Sequence, residues 1–278
     1  MTDTTLPLTA AKHLQIFRAS LPMRIRLQEI LRALGDVSGL TCLDIGSANG
    51  VICHYLRRAG GKWDTVATDD HTAALLREVV PDNVYVFEGE TLPFKKKSFD
   101  AVVIVDSLER IKNDEQFVEE CHKILKPDGR LVVCVANVKR WSLIRLFRRL
   151  LGLTPDKRGW VRAGYSESDL FNLLKHGFDI QGVRSYSRFW LELTDTLVQF
   201  LANRPKTKPG GAEKRERWLY AVARALYWLA FQMDLMLVFN RGYHLVAVAK
   251  RRAWRPRKAP VLVDGRSITE VVLTKAAD

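Results

Sequence analysis

The amino-acid sequence predicts an α/β fold in which helices cover both faces of a doubly wound, mostly parallel sheet. Short apolar runs alternate with segments of helical periodicity through the first half of the chain, which is the pattern of βαβ units. The run "DAVVIVD" at 100–106 is almost wholly apolar, as expected for a strand covered on both faces. The links between these segments are short, which favours a parallel sheet with crossover helices.

Seven strands account for the sheet, five in the first half of the chain and two in the second. They are predicted at residues 40–45, 64–69, 83–88, 100–106, 130–137, 179–189 and 243–251. The sequence "KPDG" at 126–129 is expected to form the turn before the fifth strand. One further weak strand is predicted in "PVLVDG" at 260–265.

Helical periodicity predicts the elements that cover the sheet. The helices are expected at residues 51–60, 71–80, 114–125, 140–153, 166–178, 190–202 and 217–239. Ser166 and Asp169 have the spacing of a capping box at the start of one of them. The last two helices, with a loop at 203–214 between them, separate the sixth strand from the seventh. The chain is therefore divided into a body (1–188 and 241–252), a helical insertion (189–240) and a C-terminal extension (253–278).

The positive charge of the chain is concentrated in its second half. The net charge is +13, but segments 139–162, 203–224 and 250–258 hold 21 of the 44 Lys and Arg residues and 3 of the 31 acidic residues. The remainder is slightly acidic. A concentrated positive field attracts phosphate, whether of a nucleic acid or of an anionic bilayer. A merely solvated surface is the alternative interpretation.

The cysteines and the N-terminus predict a cytoplasmic protein. Residues 1–20 contain no apolar run of the length that a signal peptide needs. The four cysteines form no CxxC pair, so neither a disulfide framework nor a zinc site is expected. No His/Asp/Glu spacing suggests another bound metal.

An acid followed by a glycine-containing turn connects the first strand to the first of these helices. Asp44 precedes the turn Gly46-Ser47-Ala48-Asn49-Gly50. Ligands of doubly wound sheets bind beyond the carboxyl ends of the strands, where free helix N–H groups point at them. A second acid, Asp69, ends the next strand, at a position where a carboxylate can accept ribose hydroxyls. The turn departs from the G-x-G-x-x-G pattern of dinucleotide sites, and this departure favours a mononucleoside over a pyrophosphate ligand. The alternative is a tight turn that binds no ligand.

Residues 41–137 resemble the class I S-adenosylmethionine-dependent methyltransferases, and within them the type 11 group. Four blocks occur in the family's order: "LDIGSANG", "VATDD", "FEGETLPFKKKSFDAVVIVDSLERI" and "FVEECHKILKPDGRLVVCVAN". The resemblance implies a Rossmann-like methyltransferase fold and S-adenosyl-L-methionine as the cofactor. Two positions depart from the family pattern: Ala48 replaces a glycine of the turn, and Arg110 stands where a histidine is frequent.

The resemblance also assigns the cofactor-binding residues by position. They are Asp44, Gly46, Ser47, Ala48, Asn49, Gly50, Asp69, Asp70, Glu88, Gly89, Asp106 and Ser107. The turn at 44–50 would wrap the methionine portion, Asp69 would hold the ribose hydroxyls, and 88–89 would lie at the adenine edge. The pair at 106–107 would close the pocket after the fourth strand.

The catalytic residues remain open at this stage, because methyl transfer is largely a matter of positioning. A base is required only where the acceptor must lose a proton. Glu109, His13 and Tyr165 are the candidates, each of which also has a structural interpretation. The sequence "DSLER" after the fourth strand lacks the proline-aromatic motif of enzymes that methylate the amino groups of bases, which weakens a base substrate.

Two apolar segments next to the basic ones indicate the class of acceptor. The helix at 140–153 is amphipathic, with Arg145, Arg148 and Arg149 on one face. The segment 217–239 is rich in aromatic residues but is interrupted by Arg224, Gln232 and Asp234, so it is a poor transmembrane helix and fits an interfacial one. We therefore expect a small-molecule or lipid-type acceptor, with the enzyme peripheral on the inner membrane face.

Three alternatives remain open. The two helices could instead cover the active site of a soluble enzyme as a lid. The basic segments could bind the phosphates of an RNA or other nucleic acid. The domain could also be a binding module that lost its activity, which the intact cofactor motifs disfavour. The oligomeric state has no signal in the sequence.

Overall fold

The sheet has seven strands, as predicted. They are β1 Thr41–Ile45, β2 Lys62–Ala67, β3 Val84–Val86, β4 Phe99–Val105, β5 Leu125–Ala136, β6 Phe178–Tyr186 and β7 His244–Arg251. The structure is a computed structural model, which describes residues 8–46, 50–80, 82–87, 89, 91–139, 142–153, 159–202, 212–237 and 241–253. For residues 8–12, 202 and 212–221 it describes only the backbone.

The strand order is β3-β2-β1-β4-β5-β7-β6. β1 to β5 are mutually parallel, and β7 is antiparallel to both of its neighbours, β5 and β6. The chain reverses its direction of growth across the sheet after β3, when β4 pairs with β1. The carboxyl ends of β1 and β4 therefore lie side by side at the topological switch point, where ligands of such sheets bind.

Helices cover both faces of this sheet, as expected. They are α1 Leu8–Ala19, α2 Leu21–Leu34, α3 Val51–Arg58, α4 Asp70–Val79, α5 Asp114–Ile124, α6 Leu143–Leu150, α7 Glu167–Leu174, α8 Phe189–Ala202 and α9 Ala212–Met236. The predicted capping box is present at the start of α7, where Ser166 and Asp169 exchange hydrogen bonds.

The strand β4 shows why its sequence is a continuous apolar run. Val102 and Ile104 face the layer that contains α5, whereas Val103 and Val105 face the layer that contains α2 and α3. All four side chains are buried. Because each buried aliphatic side chain contributes roughly 1.5–3 kcal/mol to folding, both faces of β4 require apolar residues.

Several boundaries differ from the prediction. The turn expected at 126–129 lies inside β5, where the pairing with β4 shifts from Phe99–Leu125 to Ala101–Arg130. The extra residues are accommodated by a bulge with Asp128 at φ 63°. The loop expected at 203–214 is also too long, because α9 already begins at Ala212. The weak strand predicted at 260–265 lies outside the described residues.

The helices α8 and α9 form a hairpin between β6 and β7. Leu191 and Val198 of α8 pack against Ala223 and Tyr227 of α9, and the pair rests on α2. Asp234, which interrupts the apolar pattern of α9, accepts hydrogen bonds from the Trp190 N–H (2.8 Å) and the Leu191 N–H (3.1 Å). It therefore satisfies two free N–H groups in the first turn of α8.

None of the described helices combines the length and the apolarity needed to cross a bilayer. The division of the chain into body, insertion and extension stays a prediction.

Candidate active site

Two glycines with positive φ shape the turn after β1. At Gly46 (φ 92°) a Cβ atom would lie 2.4 Å from Ser107 Cβ and 2.7 Å from the Val105 carbonyl oxygen. At Gly50 (φ 68°), just before α3, it would lie 2.8 Å from Val79 Cβ. Side chains at these positions would therefore collide with their neighbours, and the backbone at Gly46 lies close to the end of β4.

Asp44 presents a buried carboxylate to this turn. Its Oδ2 accepts a hydrogen bond from the Cys53 thiol at 2.5 Å, and its Oδ1 has no hydrogen-bond partner among the described residues. Burial raises the pKa of Asp44 to about 6, although Cys53 and Arg57 oppose the shift. A buried carboxylate oxygen without a donor fits a cationic or hydrogen-bonding ligand. The predicted residues Ser47, Ala48, Asn49 and Glu88 lie outside the described residues.

Asp69 is the N-cap of α4. Its Oδ1 accepts from the Thr72 N–H at 2.7 Å, and its Oδ2 accepts from the hydroxyls of Thr72 (2.8 Å) and Thr68 (3.1 Å). Burial by itself raises the pKa of Asp69, but these hydrogen bonds outweigh burial and hold the pKa below its ordinary value. A carboxylate has about four lone-pair sites, so one of them is left for a ribose hydroxyl. Asp70 is exposed beside it, and Gly89 (φ 94°) has open space around it.

An ion pair holds Asp106 at the end of β4. The residue adopts a positive φ of 48°, and its Oδ2 accepts from an Arg26 Nη1–H group. Arg26 also donates from Nε to the Tyr186 hydroxyl at 3.2 Å and lies 3.4 Å from His244 Nδ1. Asp106 Oδ1 is buried and has no partner within the part of the chain that the structure describes. A positive φ at a non-glycine residue and a free carboxylate oxygen are features that a ligand-binding position would have.

Glu109 is a second buried carboxylate with one free oxygen. Its Oε1 accepts from the Ala136 N–H at 2.7 Å, while Oε2 has no partner among the described groups. Its backbone carbonyl accepts from the Val161 N–H at 2.7 Å, which fixes the residue between β4, β5 and the segment before α7. Burial and the neighbouring Asp106 raise the pKa of Glu109 to about 7. Such a group can accept or donate a proton near neutral pH.

The other two catalytic candidates occupy different positions. The Tyr165 hydroxyl donates to Asp114 Oδ2 at 2.8 Å and accepts from Arg162 at 2.8 Å, so the structure ties it to a helix N-terminus. Burial and Asp114 raise the pKa of Tyr165 well above its ordinary value. His13 lies half-buried on α1. Neither of them lines the cavity described next.

A cavity of about 430 Å³ opens beyond the end of β5 and the start of β7. Its walls come from α2, β5, α6, α8 and β7 and from the segment before α7. The lining includes Arg26, Ala136, Asn137, Ile144, Arg145, Arg148, Arg149, Trp160, Glu192, Asp195, Tyr243 and His244. Ala136 of the lining donates its N–H to the fully buried Glu109, which connects that carboxylate to the cavity through one residue.

Glu192 organises the α8 side of the cavity. It pairs with Arg148 of α6, accepts from the Ser187 hydroxyl at 2.6 Å and lies 3.5 Å from His244 Nε2. Although burial raises the pKa of Glu192, His244 and Arg148 outweigh that effect and hold the pKa well below its ordinary range. Burial and Glu192 raise the pKa of Asp195 one turn further on. The carboxylate of Glu192 is therefore already used within the protein.

Sequence reasoning missed four residues of this cavity. Arg26, Glu192, Asp195 and His244 come from three distant parts of the chain. A signal existed for the two acids, because they interrupt the otherwise apolar α8 at i, i+3 spacing. No local pattern distinguishes Arg26 or His244.

The segment that contains the first five strands matches a known domain family. A model of the methyltransferase domain (the type 11 group) matches residues 43–133, which run from β1 into β5. A solved S-adenosylmethionine-dependent methyltransferase of Mesorhizobium loti superposes with a TM-score of 0.51 at 19% identity, over 84% of this chain and 98% of the other. At that identity the likeness shows the fold alone.

Curated relatives are methyltransferases as well. A demethylmenaquinone methyltransferase of Tropheryma whipplei is 30% identical over 127 residues, covering 43% of this chain and 52% of that protein. The mitochondrial ubiquinone biosynthesis O-methyltransferase of Rattus norvegicus is 25% identical over 186 residues, covering 60% and 54%. The chain thus spans about half the length of the curated relatives it matches. Residues 43–133 therefore match the methyltransferase domain of the type 11 group, and the sheet around them has the fold of solved S-adenosylmethionine-dependent methyltransferases.

Proposed function

We propose that the whole protein transfers the methyl group of S-adenosylmethionine to a small-molecule or lipid-type acceptor with a ring hydroxyl, of the kind that quinone precursors carry. The observation that carries the proposal is the cavity beside Glu109, at the same edge of the sheet as Asp44 and Gly46. The relatives named for demethylmenaquinone and ubiquinone biosynthesis support this acceptor class.

The described residues fit the cofactor. Asp44 and Asp106 each offer a buried carboxylate oxygen without a partner among the described groups, which suits a ligand that carries a sulfonium and an ammonium. Gly46 and Gly50 place no side chain at the two ends of the turn, and Asp69 retains a lone pair for a ribose hydroxyl. When bound, the cofactor supplies an electrophilic methyl group to the acceptor.

Glu109 is the proposed proton acceptor. Its free Oε2, its burial and a pKa of about 7 allow it to take the proton of an acceptor hydroxyl. The base must be deprotonated to act, so turnover should rise with pH through about 7 and level off above it. A pH profile that stays flat between 6 and 8 would assign the proton to another group.

The variant Glu109→Gln tests this role. We expect turnover to fall by roughly 10²–10⁴-fold, with S-adenosylmethionine affinity measured by calorimetry unchanged. Glu115→Gln, an exposed change on α5, is the matched control and should leave both quantities unaltered. Full turnover in Glu109→Gln would rule the carboxylate out as the base.

We further propose that the enzyme works at the inner membrane surface. Leu143, Leu146 and Leu150 of α6 are 72%, 57% and 76% exposed and lie on one face. The exposed residues Leu229 and Met236 belong to a similar apolar stripe on α9. An apolar stripe next to a basic segment is typical of a helix that lies in a bilayer interface. Sedimentation with anionic liposomes, compared between the native protein and Leu146→Glu, tests this proposal.

The fate of a labelled methyl group separates the acceptor classes. The protein is incubated with methyl-labelled S-adenosylmethionine and a lysate of its source, and the products are extracted with organic solvent. Label in the organic phase supports the lipid-type acceptor. Label in nuclease-sensitive material would instead support the nucleic-acid alternative and assign the basic segments to phosphate binding. The absence of transfer, with the cofactor still bound, would overturn the methyltransferase proposal.

A further inference from the structure

The helix α6 buries Ile144, exposes three leucines and lines the cavity with a row of arginines. Its arginines at 145, 148 and 149 line the cavity, while Leu143, Leu146 and Leu150 are exposed. Apolar faces usually face the interior and charged faces the solvent. Arg145 and Arg149 are exposed to solvent at this wall and Arg148 is partly buried. A concave wall lined by one sign of charge attracts anions, which compensate that charge.

The protein itself supplies only part of that compensation. Arg148 pairs with Glu192 and donates from Nε to the Thr196 hydroxyl at 3.1 Å. Arg145 donates only to a backbone carbonyl, that of Lys139, at 3.4 Å. Within the described residues, neither Arg145 nor Arg149 has a carboxylate partner.

The remaining acids of the cavity are already occupied. Glu192 also serves Ser187 and His244, and Asp195 accepts from the Tyr227 hydroxyl at 2.9 Å and from the Gln199 amide at 2.5 Å. Arg26, another cation of the lining, is paired with Asp106. The α6 wall therefore presents two guanidinium groups that the described carboxylates leave uncompensated.

We propose that the acceptor carries an oxyanion, a phosphate or a carboxylate, which Arg145 and Arg149 bind at the α6 wall of the cavity. The inference rests on the proposed methyltransferase function and specifies its substrate. Guanidinium groups match the geometry of both oxyanions and can bind them through paired hydrogen bonds. Ala136, which donates its N–H to Glu109, belongs to the same lining, so one cavity would hold both the anionic end and the reacting hydroxyl. The cavity volume of about 430 Å³ is within the range of small-molecule binding sites.

Calorimetry with inorganic pyrophosphate and with benzoate, at low ionic strength, tests the anion site directly. The native protein should bind one equivalent of at least one probe. The double variant Arg145→Gln/Arg149→Gln should weaken that binding at least tenfold. The control Arg58→Gln/Lys62→Gln removes two exposed cations on α3 and β2 and should stay within twofold of the native affinity. Equal affinity in the native protein and the double variant, or an equal loss in the control, would overturn the inference.

The labelled product provides the second readout and identifies the source of the oxyanion. If the inference holds, the product is retained on an anion-exchange resin. A lipid phosphate partitions into the organic phase before it is retained, whereas a free phosphate or carboxylate stays aqueous. An uncharged methylated product would overturn the anion site and leave the methyltransferase proposal intact. Pyrophosphate binding without any methyl transfer would overturn the methyltransferase proposal instead.

Discussion

Replacing Glu109 by glutamine should change how the stability of the protein depends on pH. The wild-type carboxyl has a pKa of about 7 in the folded state, raised from 4.5 by burial and by Asp106. The folded state therefore holds the proton more tightly than the unfolded chain does. The contribution of protonated Glu109 is complete below pH 4.5 and is lost as the pH rises to about 7.

The size of this effect follows from the shift. A difference of about 2.5 pKa units corresponds to about 3 kcal/mol of unfolding free energy, because one unit is worth about 1.4 kcal/mol. Glutamine has no proton to lose, and its oxygen can still accept from the Ala136 N–H. The stability of Glu109→Gln relative to wild type should thus increase by about 3 kcal/mol between pH 4.5 and pH 8.

Urea unfolding at pH 5, 6, 7 and 8 measures this difference. Titrating groups that are not coupled to Glu109, such as Asp44, are present in both proteins and cancel in the comparison. The exposed control Glu115→Gln should show a stability difference that does not vary with pH. A difference between Glu109→Gln and wild type that is equally constant would refute the reasoning, because it would mean that the carboxyl is not desolvated by the fold.

Three further changes test other parts of the site. Gly46→Ala should destabilise the protein by about 1–3 kcal/mol in urea unfolding and weaken S-adenosylmethionine binding, because the methyl group would collide with Ser107. Glu192→Gln should lower the unfolding free energy by about 3–5 kcal/mol, since it leaves the Arg148 charge unpaired in a buried network. The control Glu167→Gln, which breaks the exposed ion pair with Arg241, should lower it by less than about 1 kcal/mol. Leu146→Glu should leave the unfolding free energy within about 0.5 kcal/mol of wild type while reducing sedimentation with anionic liposomes.

The parts of the fold that the sequence predicts are those with local signals. The burial of both faces of β4 follows from its uninterrupted apolar run. The close approach of the Gly46 backbone to Val105 and Ser107 follows from a glycine placed between a strand and a helix. The position of Asp69 also has a local signal, because it follows a strand and precedes a helix. Its use as the cap of α4 adds a role that the sequence did not indicate.

The cavity could not be predicted in the same way, because its residues are distant in the chain. Arg26 meets His244 across 218 positions and Asp106 across 80. Neither pairing has a periodicity or a motif, and both depend on how α2 and β7 pack at the same edge of the sheet. Asp234 illustrates the same limit: it interrupts the apolar pattern of α9, and only the packing of α9 on α8 reveals that it caps a helix.

The helix α6 explains why its sequence pattern was open to more than one interpretation. Periodicity groups Arg145, Arg148 and Arg149 on one face, but it does not say what that face or the apolar residues around it will contact. The structure directs the arginines to the cavity and the leucines to the surface. The membrane and lid interpretations of this helix therefore do not compete, because they concern opposite faces. An acceptor with an apolar portion and an oxyanion would have use for both, since the leucine face suits a bilayer and the arginine face suits the anion.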